Sequence, residues 1–299
     1  MARWQKRPTG GRTRVRSSPE VRRVKLGAEL RRLRVLAGLT SAAAARLAGW
    51  HQSKVSRIET GRSGVKPSDV ALLLDAYGVR DASQRELLDA LCGADAAESA
   101  GWWHTYRSLL PAQYRDFIRL ESQACTAHTF ETSVMPGLLQ TPGYAKAVTR
   151  ASLDGLPART VDSLVDVRLA RQRVLEADPP LELSAVVDEA ALHRRVGGRG
   201  VMAEQLRHVR EVARLPHVRL QVMPFAAGGH LGLTGSFTIF SFSNIVDLDV
   251  VVLDHLMSSR YLERKEELEA YSAAFRRIQA RALPQKESLD LIAGLGDGV

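Results

Sequence analysis

The chain has 299 residues, 45% of them apolar and 25% charged, ordinary proportions for a globular protein with room for two cores. No apolar run approaches the roughly 20 residues of a membrane-spanning helix, and the opening MARWQKRPTGGR lacks the apolar segment of a signal peptide, so a cytoplasmic location is expected. Cys92 and Cys125 are the only cysteines, too few and too far apart for a disulfide framework or a metal site.

The net charge of +9 is unevenly spread: residues 1–25 carry +8, residues 26–80 carry +5 and residues 81–299 carry −4. All the excess positive charge precedes residue 81, as in a nucleic-acid footprint followed by an electrically balanced second module. Residues 1–21 form a basic arm with Gly, Pro and Ser and few apolar side chains, expected to be disordered when free. Arg12, Arg14 and Arg16 lie along phosphates or enter a minor groove in one reading, and belong to a plain solvated tail in the other. Arginine outnumbers lysine and alanine is abundant, the habit of a GC-rich, actinobacterial genome rather than of a function.

Leu26, Leu30, Leu33 and Ala37 share a helical stripe that stops at Gly38. Residues 40–61, TSAAAARLAGWHQSKVSRIETG, then describe two short helices joined by a sharp turn. Ala44, Leu47 and Ala48 fall at helical spacing, Gly49 and Trp50 supply the break, and Val55 and Ile58 carry the inward stripe of the second helix. Successive residues rotate by about 100°, so Ser53, Ser56, Arg57 and Thr60 point outward, with Gln52 at the exposed N-terminal end. These donors and acceptors suit base edges and phosphates in a major groove. Gly61 is a left-handed stop, Pro67 and Ser68 open a helix that ends at Gly78, and Asp81 caps a further one carrying Leu87, Leu88 and Leu91. The expected unit is five short helices around one core.

The run LGAELRRLRVLAGLTSAAAARLAGWHQSKVSRIETGRSGVKPSDVALLLDAYGV resembles the XRE-type helix-turn-helix domain of bacterial and phage-repressor-like regulators, an all-α, lambda-repressor-like fold, over residues 22–92. QSKVSRIETG is its most specific portion. The resemblance implies that Gln52, Ser53, Lys54, Ser56 and Arg57 approach double-stranded DNA, and that Glu59 is structural, pairing with Arg31 or Arg34. The family's second helix often opens with a glutamine that contacts phosphate; Ser41 stands there with a shorter reach.

Small and acidic residues at 93–101 mark a linker. Trp102, Trp103, Tyr106, Tyr114 and Phe117 then lie in an aromatic-rich helical stretch expected to continue to residue 132, and core packing explains these rings better than a ligand cage. Residues 134–144, VMPGLLQTPGY, are turn-rich, and 160–177 reads as a helix. Beyond Pro179 and Pro180 the period becomes strand-like, with runs at 181–187, 218–223, 236–242 and 248–253 and helices at 188–195, 201–213 and 263–282. This half is expected to be α+β, with helices and a small mixed or antiparallel sheet.

The ordered series VMPGLLQTPGYA, RLARQRVL, VVDEAALHRRVGG, VMAEQLRHV, VRLQVMPFAAGGHLGLTGSFTIF and YLERKEELEAYSAAF is similar to the C-terminal domain of a large streptomycete regulator family, antitoxin-like and including WhiJ-like developmental regulators (DUF5753-type), over residues 102–293. The resemblance implies a regulator encoded beside a small companion protein that this domain binds, rather than an enzyme.

An enzyme reading has little to build on. Asp188 and Glu189, with Asp247, Asp249 and Asp254, are the acidic set a Mg²⁺-dependent nuclease would use, but no accompanying lysine signature is evident, and helix capping and solvent exposure are simpler accounts. The eight histidines form no HExxH or close Cys/His pair, so no metal or cofactor is expected. His51, just before the second helix of the motif, meets a phosphate or merely turns the chain. The glycines at 197–200 and 228–229 lack the strand-loop-helix setting of a phosphate cradle.

The resulting expectation is a sequence-specific regulator occupying a DNA operator, located on the nucleoid when bound. Gln52, Ser53 and Ser56 read bases, while the arm, Lys54, Arg57, Arg62 and Ser41 hold phosphates. One helix-turn-helix spans few base pairs, so a homodimer on two half-sites is expected. The second half binds a small cognate protein or mediates dimerisation; the alternative is a small-molecule sensor, suggested by the aromatics at 102–106 and the loop near Gly229.

Overall fold

The computed structural model describes residues 18–82, 84–85, 88, 102–153, 155–242, 249–255 and 258–297. Arg12, Arg14 and Arg16, the expected linker at 93–101, Cys92 and Asp247 lie outside the described residues.

The N-terminal part is helical: α1 (Ser18–Leu36), α2 (Ser41–Leu47), α3 (Gln52–Glu59) and α4 (Pro67–Ala76), followed by helical residues at 82, 84–85 and 88. Thr40 caps α2, its hydroxyl accepting from the Ala43 amide at 3.1 Å. The turn between α2 and α3 depends on Gly49 at φ +69°, a left-handed backbone that costs glycine no Cβ clash. The Trp50 amide closes this turn on the Ala45 carbonyl at 2.7 Å.

Leu26, Leu30 and Leu33 of α1 are buried with Ala44 and Ala45 of α2, Val55 and Ile58 of α3, and Val70, Leu73 and Leu74 of α4. Each fully buried Leu or Ile contributes about 1.5–3 kcal/mol. Leu47, expected inward, is 59% exposed, and Ala45 occupies the buried place instead. The two-turn α2 turns its small residues toward its neighbours, which rotates Leu47 to the rim. Ala37 follows the last residue of α1 and is exposed as well. At Gly27, α1 approaches the end of α3 so closely that a Cβ would sit 2.3 Å from the Ile58 carbonyl oxygen.

The C-terminal part is α+β. It contains α5 (Ala112–Gln123), β1 (Thr126–Glu131), α6 (Pro142–Ser152), α7 (Ala158–Arg171), β2 (Glu182–Asp188), α8 (Glu189–His193), α9 (Arg199–Val212) and β3 (Val218–Met223). It continues through β4 (Phe237–Ser241), β5 (Val250–His255), β6 (Ser258–Leu262), α10 (Lys265–Arg281) and α11 (Gln285–Asp297). The strands form one mixed sheet in the order β3-β2-β1-β4-β5-β6. β1, β2 and β3 are parallel, and the β1-β4, β4-β5 and β5-β6 pairs are antiparallel.

The two-residue period of the strands sorts the sheet into two apolar faces. Ala127 pairs with Leu183 and Phe240 on one face, which packs with Phe117 of α5, Tyr144 of α6 and Leu206 of α9. Phe130 pairs with Val186 and Phe237 on the other, against Phe275 and Ile278 of α10. The outer edge of β3 is sealed: the Leu283 amide donates to the Val222 carbonyl at 2.8 Å, and the Val222 amide donates to Ser288 Oγ at 2.9 Å.

Two helix boundaries are corrected, and two elements are added. The helix projected to residue 132 ends at Gln123, because residues 126–131 are taken by the sheet as β1 between β2 and β4. The helix projected over 160–177 is α from Ala158 to Arg171 and then a 3-10 turn, Gln172–Leu175. β6 and α11 were not anticipated. The turn-rich 134–144 segment is pinned by buried amides: Gln205 Nε2 donates to the Leu139 carbonyl at 2.6 Å, its Oε1 accepts from the Thr141 amide at 2.8 Å, and Gln140 Nε2 donates to the Met135 carbonyl at 2.6 Å.

Candidate nucleic-acid interface

The helix-turn-helix is held from behind by one buried ion pair. Arg34 of α1 donates from Nε to Glu59 Oε1 at 2.7 Å and from Nη2 to Glu59 Oε2 at 3.0 Å, and its Nη1 reaches the Leu39 carbonyl at 2.6 Å. The Glu59 hydrogen bond holds the Arg34 guanidinium more firmly protonated than usual, against the opposing effect of burial. Of the two arginines the resemblance offered for Glu59, Arg34 is the partner, and it anchors α3 to α1 and to the chain entering α2.

With Val55, Ile58 and Glu59 turned inward, α3 presents Gln52, Ser53, Ser56 and Arg57 to solvent. The side chains of Gln52, Ser56, Arg57 and Arg62 make no hydrogen bond or ion pair among the described residues. They are therefore available to an external partner without breaking an internal contact. Ser53 Oγ lies 3.5 Å from His51 Nδ1, at the edge of hydrogen bonding, and His51 is exposed at the N-cap. Thr60 is used internally, its hydroxyl donating to the Ser56 carbonyl at 2.8 Å.

Lys54 is placed differently from its neighbours. Its Nζ is 3.0 Å from Asp69 Oδ2 and 3.6 Å from the centroid of the Trp50 ring, so it joins α3 to α4 and to the interhelical turn. Ser41 begins α2 directly after the capping Thr40 and is half-buried. Arg12, Arg14 and Arg16 lie outside the described residues.

Three of the acidic residues considered for metal chemistry, Asp188, Glu189 and Asp249, have structural work. Asp188 caps α8 by accepting from the Ala190 amide at 2.9 Å and lies 3.4 Å from His230 Nε2. Glu189 accepts from the Phe225 amide at 2.6 Å. Asp249, expected in solvent, is half-buried and accepts from Ser241 Oγ at 3.0 Å and from the Phe242 amide at 3.3 Å, because it opens the β5 side of the β4-β5 connection. Among the described residues no three His, Cys, Asp or Glu side chains gather as a metal site.

A cavity of about 290 Å³ lies in the C-terminal domain, lined by residues scattered from Tyr114 to Val252. Arg171 of α7 lines it, fully committed: Nε and Nη2 bind Glu121 at 2.7 and 2.8 Å, and Nη1 binds the Tyr114 hydroxyl at 2.7 Å. Arg168, one turn earlier, donates from Nη1 to Gln140 Oε1 at 2.7 Å. The aromatics at 102–106 do not line this cavity; Trp102, Trp103 and Tyr106 pack around Leu110, Ile118 and Val167. The only sequence signal was the arginine spacing in RLARQR, which places Arg168 and Arg171 on neighbouring turns.

Residues 25–88 match the family model of a helix-turn-helix domain. Together with the solvent-facing polar side of α3, this defines the protein as a helix-turn-helix DNA-binding regulator. Residues 114–294 match the family described as a domain of unknown function, DUF5753, and the chain belongs to that family. No curated protein and no solved structure matches the chain. Among the described residues no helix is long and apolar enough to cross a membrane.

Proposed function

We propose that the chain represses or activates transcription by occupying a specific operator, with α3 in the major groove. The observation that carries this reading is the row of exposed side chains Gln52, Ser53, Ser56 and Arg57 opposite a fully buried Val55 and Ile58. Gln52 and Ser53 stand at the N-terminal end of the helix, where recognition helices reach base edges, and Ser56 follows one turn later. Arg57 and Arg62 bind phosphates, with Arg12, Arg14 and Arg16 of the arm adding to the same electrostatic footprint. Lys54 contributes less than an unpaired lysine because it is drawn toward Asp69, and Ser41 donates a single short-range contact.

The proposed organisation is an arm at 1–21, a DNA-binding unit at 22–92, a linker at 93–101 and a regulatory unit at 102–293, acting as a homodimer on two half-sites in the cytoplasm. The antitoxin-like reading, in which the regulatory unit binds a small protein encoded nearby, draws its support from the family resemblance. The cavity beside Arg168 favours a second reading, in which a small effector tunes operator occupancy. Selection of duplexes from a random pool by the full chain tests the main reading. It predicts enrichment of a motif with two related half-sites, whereas a pool that stays random after repeated rounds contradicts it.

A further inference from the structure

We propose that the cavity between α7 and the sheet is a binding site for a small organic carboxylate with an apolar body, and that Arg168 is the residue that takes the carboxylate. The observation behind this is that one cation of the lining is hydrogen-bonded, among the described residues, only to a neutral amide. Glu121 and Arg171 neutralise each other through two hydrogen bonds, and the third arm of Arg171 is taken by Tyr114. Glu131 has an interaction of its own. Arg168 is half-buried, and its only hydrogen bond among the described residues goes to a neutral amide oxygen, Gln140 Oε1.

A guanidinium has five N–H donors in a planar fork that matches a carboxylate. A half-buried cation facing a cavity with one neutral partner is therefore incompletely compensated, and an entering anion supplies what the fold does not. Gln140 fixes the direction of the fork. Gln140 is itself clamped, donating from Nε2 to the Met135 carbonyl at 2.6 Å and accepting at its own backbone oxygen from Gln172 Nε2 at 2.7 Å, so Arg168 is held ready rather than free to turn away.

The rest of the lining sets the other half of the ligand. Val134, Met135, Leu138, Leu183 and Val252 supply an apolar wall, and the volume of about 290 Å³ is just below the range of drug-sized ligand sites. Such a site admits a compact metabolite-sized acid and no macromolecule. The site rests on the effector reading only for its consequence at the operator, and binding is measurable without DNA.

Calorimetric titration of the full chain with phenylacetate and hexanoate, each beside its neutral amide, tests the assignment. Saturable binding of a carboxylate is expected, weakened about tenfold or more in Arg168→Gln and in the amide, and partly retained in Arg168→Lys. Val134→Phe, which fills the cavity and leaves Arg168 in place, also abolishes binding and decides the matter if Arg168→Gln does not fold. No saturable binding of either acid to the wild-type chain, or binding unchanged in Val134→Phe, overturns the site. If the acid binds as described, a shift in operator affinity on saturation supports effector control. Unchanged operator affinity leaves the site standing and removes the effector reading alone.

Discussion

Arg34 and Glu59 form a buried, two-pronged ion pair, with N–O distances of 2.7 and 3.0 Å, that ties the last turn of α1 to the end of α3. The two residues are 25 positions apart. Breaking a buried pair by removing one charge strands the other, at a cost of roughly 3–5 kcal/mol. Glu59→Gln should therefore lower the unfolding transition of the N-terminal domain by an amount in that range, as followed by urea denaturation. Operator affinity should fall with it, although Glu59 itself is buried in the core.

A second prediction concerns the contact between α1 and α3 at Gly27. Its absent side chain lets the helices meet, and a Cβ would come 2.3 Å from the Ile58 carbonyl oxygen and 2.8 Å from Glu59 backbone atoms. Gly27→Ala should displace the end of α3 and destabilise the domain by about 1–3 kcal/mol, the usual cost of overpacking. Hydrogen exchange should show loosened amides in α3 and unchanged protection in the sheet of the C-terminal domain.

Arg57 and Arg62 offer charge without a fixed partner, so their loss should be felt equally on every DNA sequence. Arg57→Ala should reduce the slope of log affinity against log salt by about 0.9, one phosphate contact on duplex DNA, and leave the ratio of operator to random binding unchanged. Competition titrations at several salt concentrations read both quantities. A changed ratio would place Arg57 on a base instead.

The C-terminal domain should lose stability toward acid. Burial holds His128 below its ordinary value of 6.5, outweighing Asp249 and Glu182, which act the other way, and its ring stacks on Phe275 at 4.9 Å. Its unfolded form therefore takes up a proton that the folded form resists. The stabilisation is complete above pH of about 6.5 and declines as pH falls from there through the lowered folded value. Burial lowers His208 too, so both contribute in the same direction. Thermal unfolding across this window should show the decline, and His128→Phe, which keeps the stacked ring, should reduce it.

The N-terminal domain was legible because its information is local. Val55 and Ile58 at helical spacing, flanked by Gly49 and Gly61, reveal which face of α3 is buried and therefore which face is free. Leu47 misled because an isolated leucine in a run of alanines looks like the anchor, whereas the small residues permit close packing and the leucine is left outside. β1 was hidden for a different reason: the run TAHTFE has the weak alternation of a strand, but its place between β2 and β4 is decided by partners more than fifty residues away. The cavity was invisible for the same cause, since Tyr114, Arg168, Ser236 and Val252 meet only after the sheet has formed. Lys54 shows the limit within a motif: a cation on the reading helix was foreseeable, but its capture by Asp69 and Trp50 depends on how α4 packs.

The central claim is that the N-terminal end of α3 reads DNA sequence, and the most direct test is the ratio of operator to random-duplex affinity in Gln52→Ala/Ser53→Ala. Both side chains are exposed at the start of the helix and take no part in its buried stripe, so the variant should fold normally and keep its affinity for random DNA. The predicted result is a ratio reduced by about tenfold or more, the loss of one good base contact. A variant that kept the full discrimination of the wild-type chain would contradict the assignment of this helix to base readout.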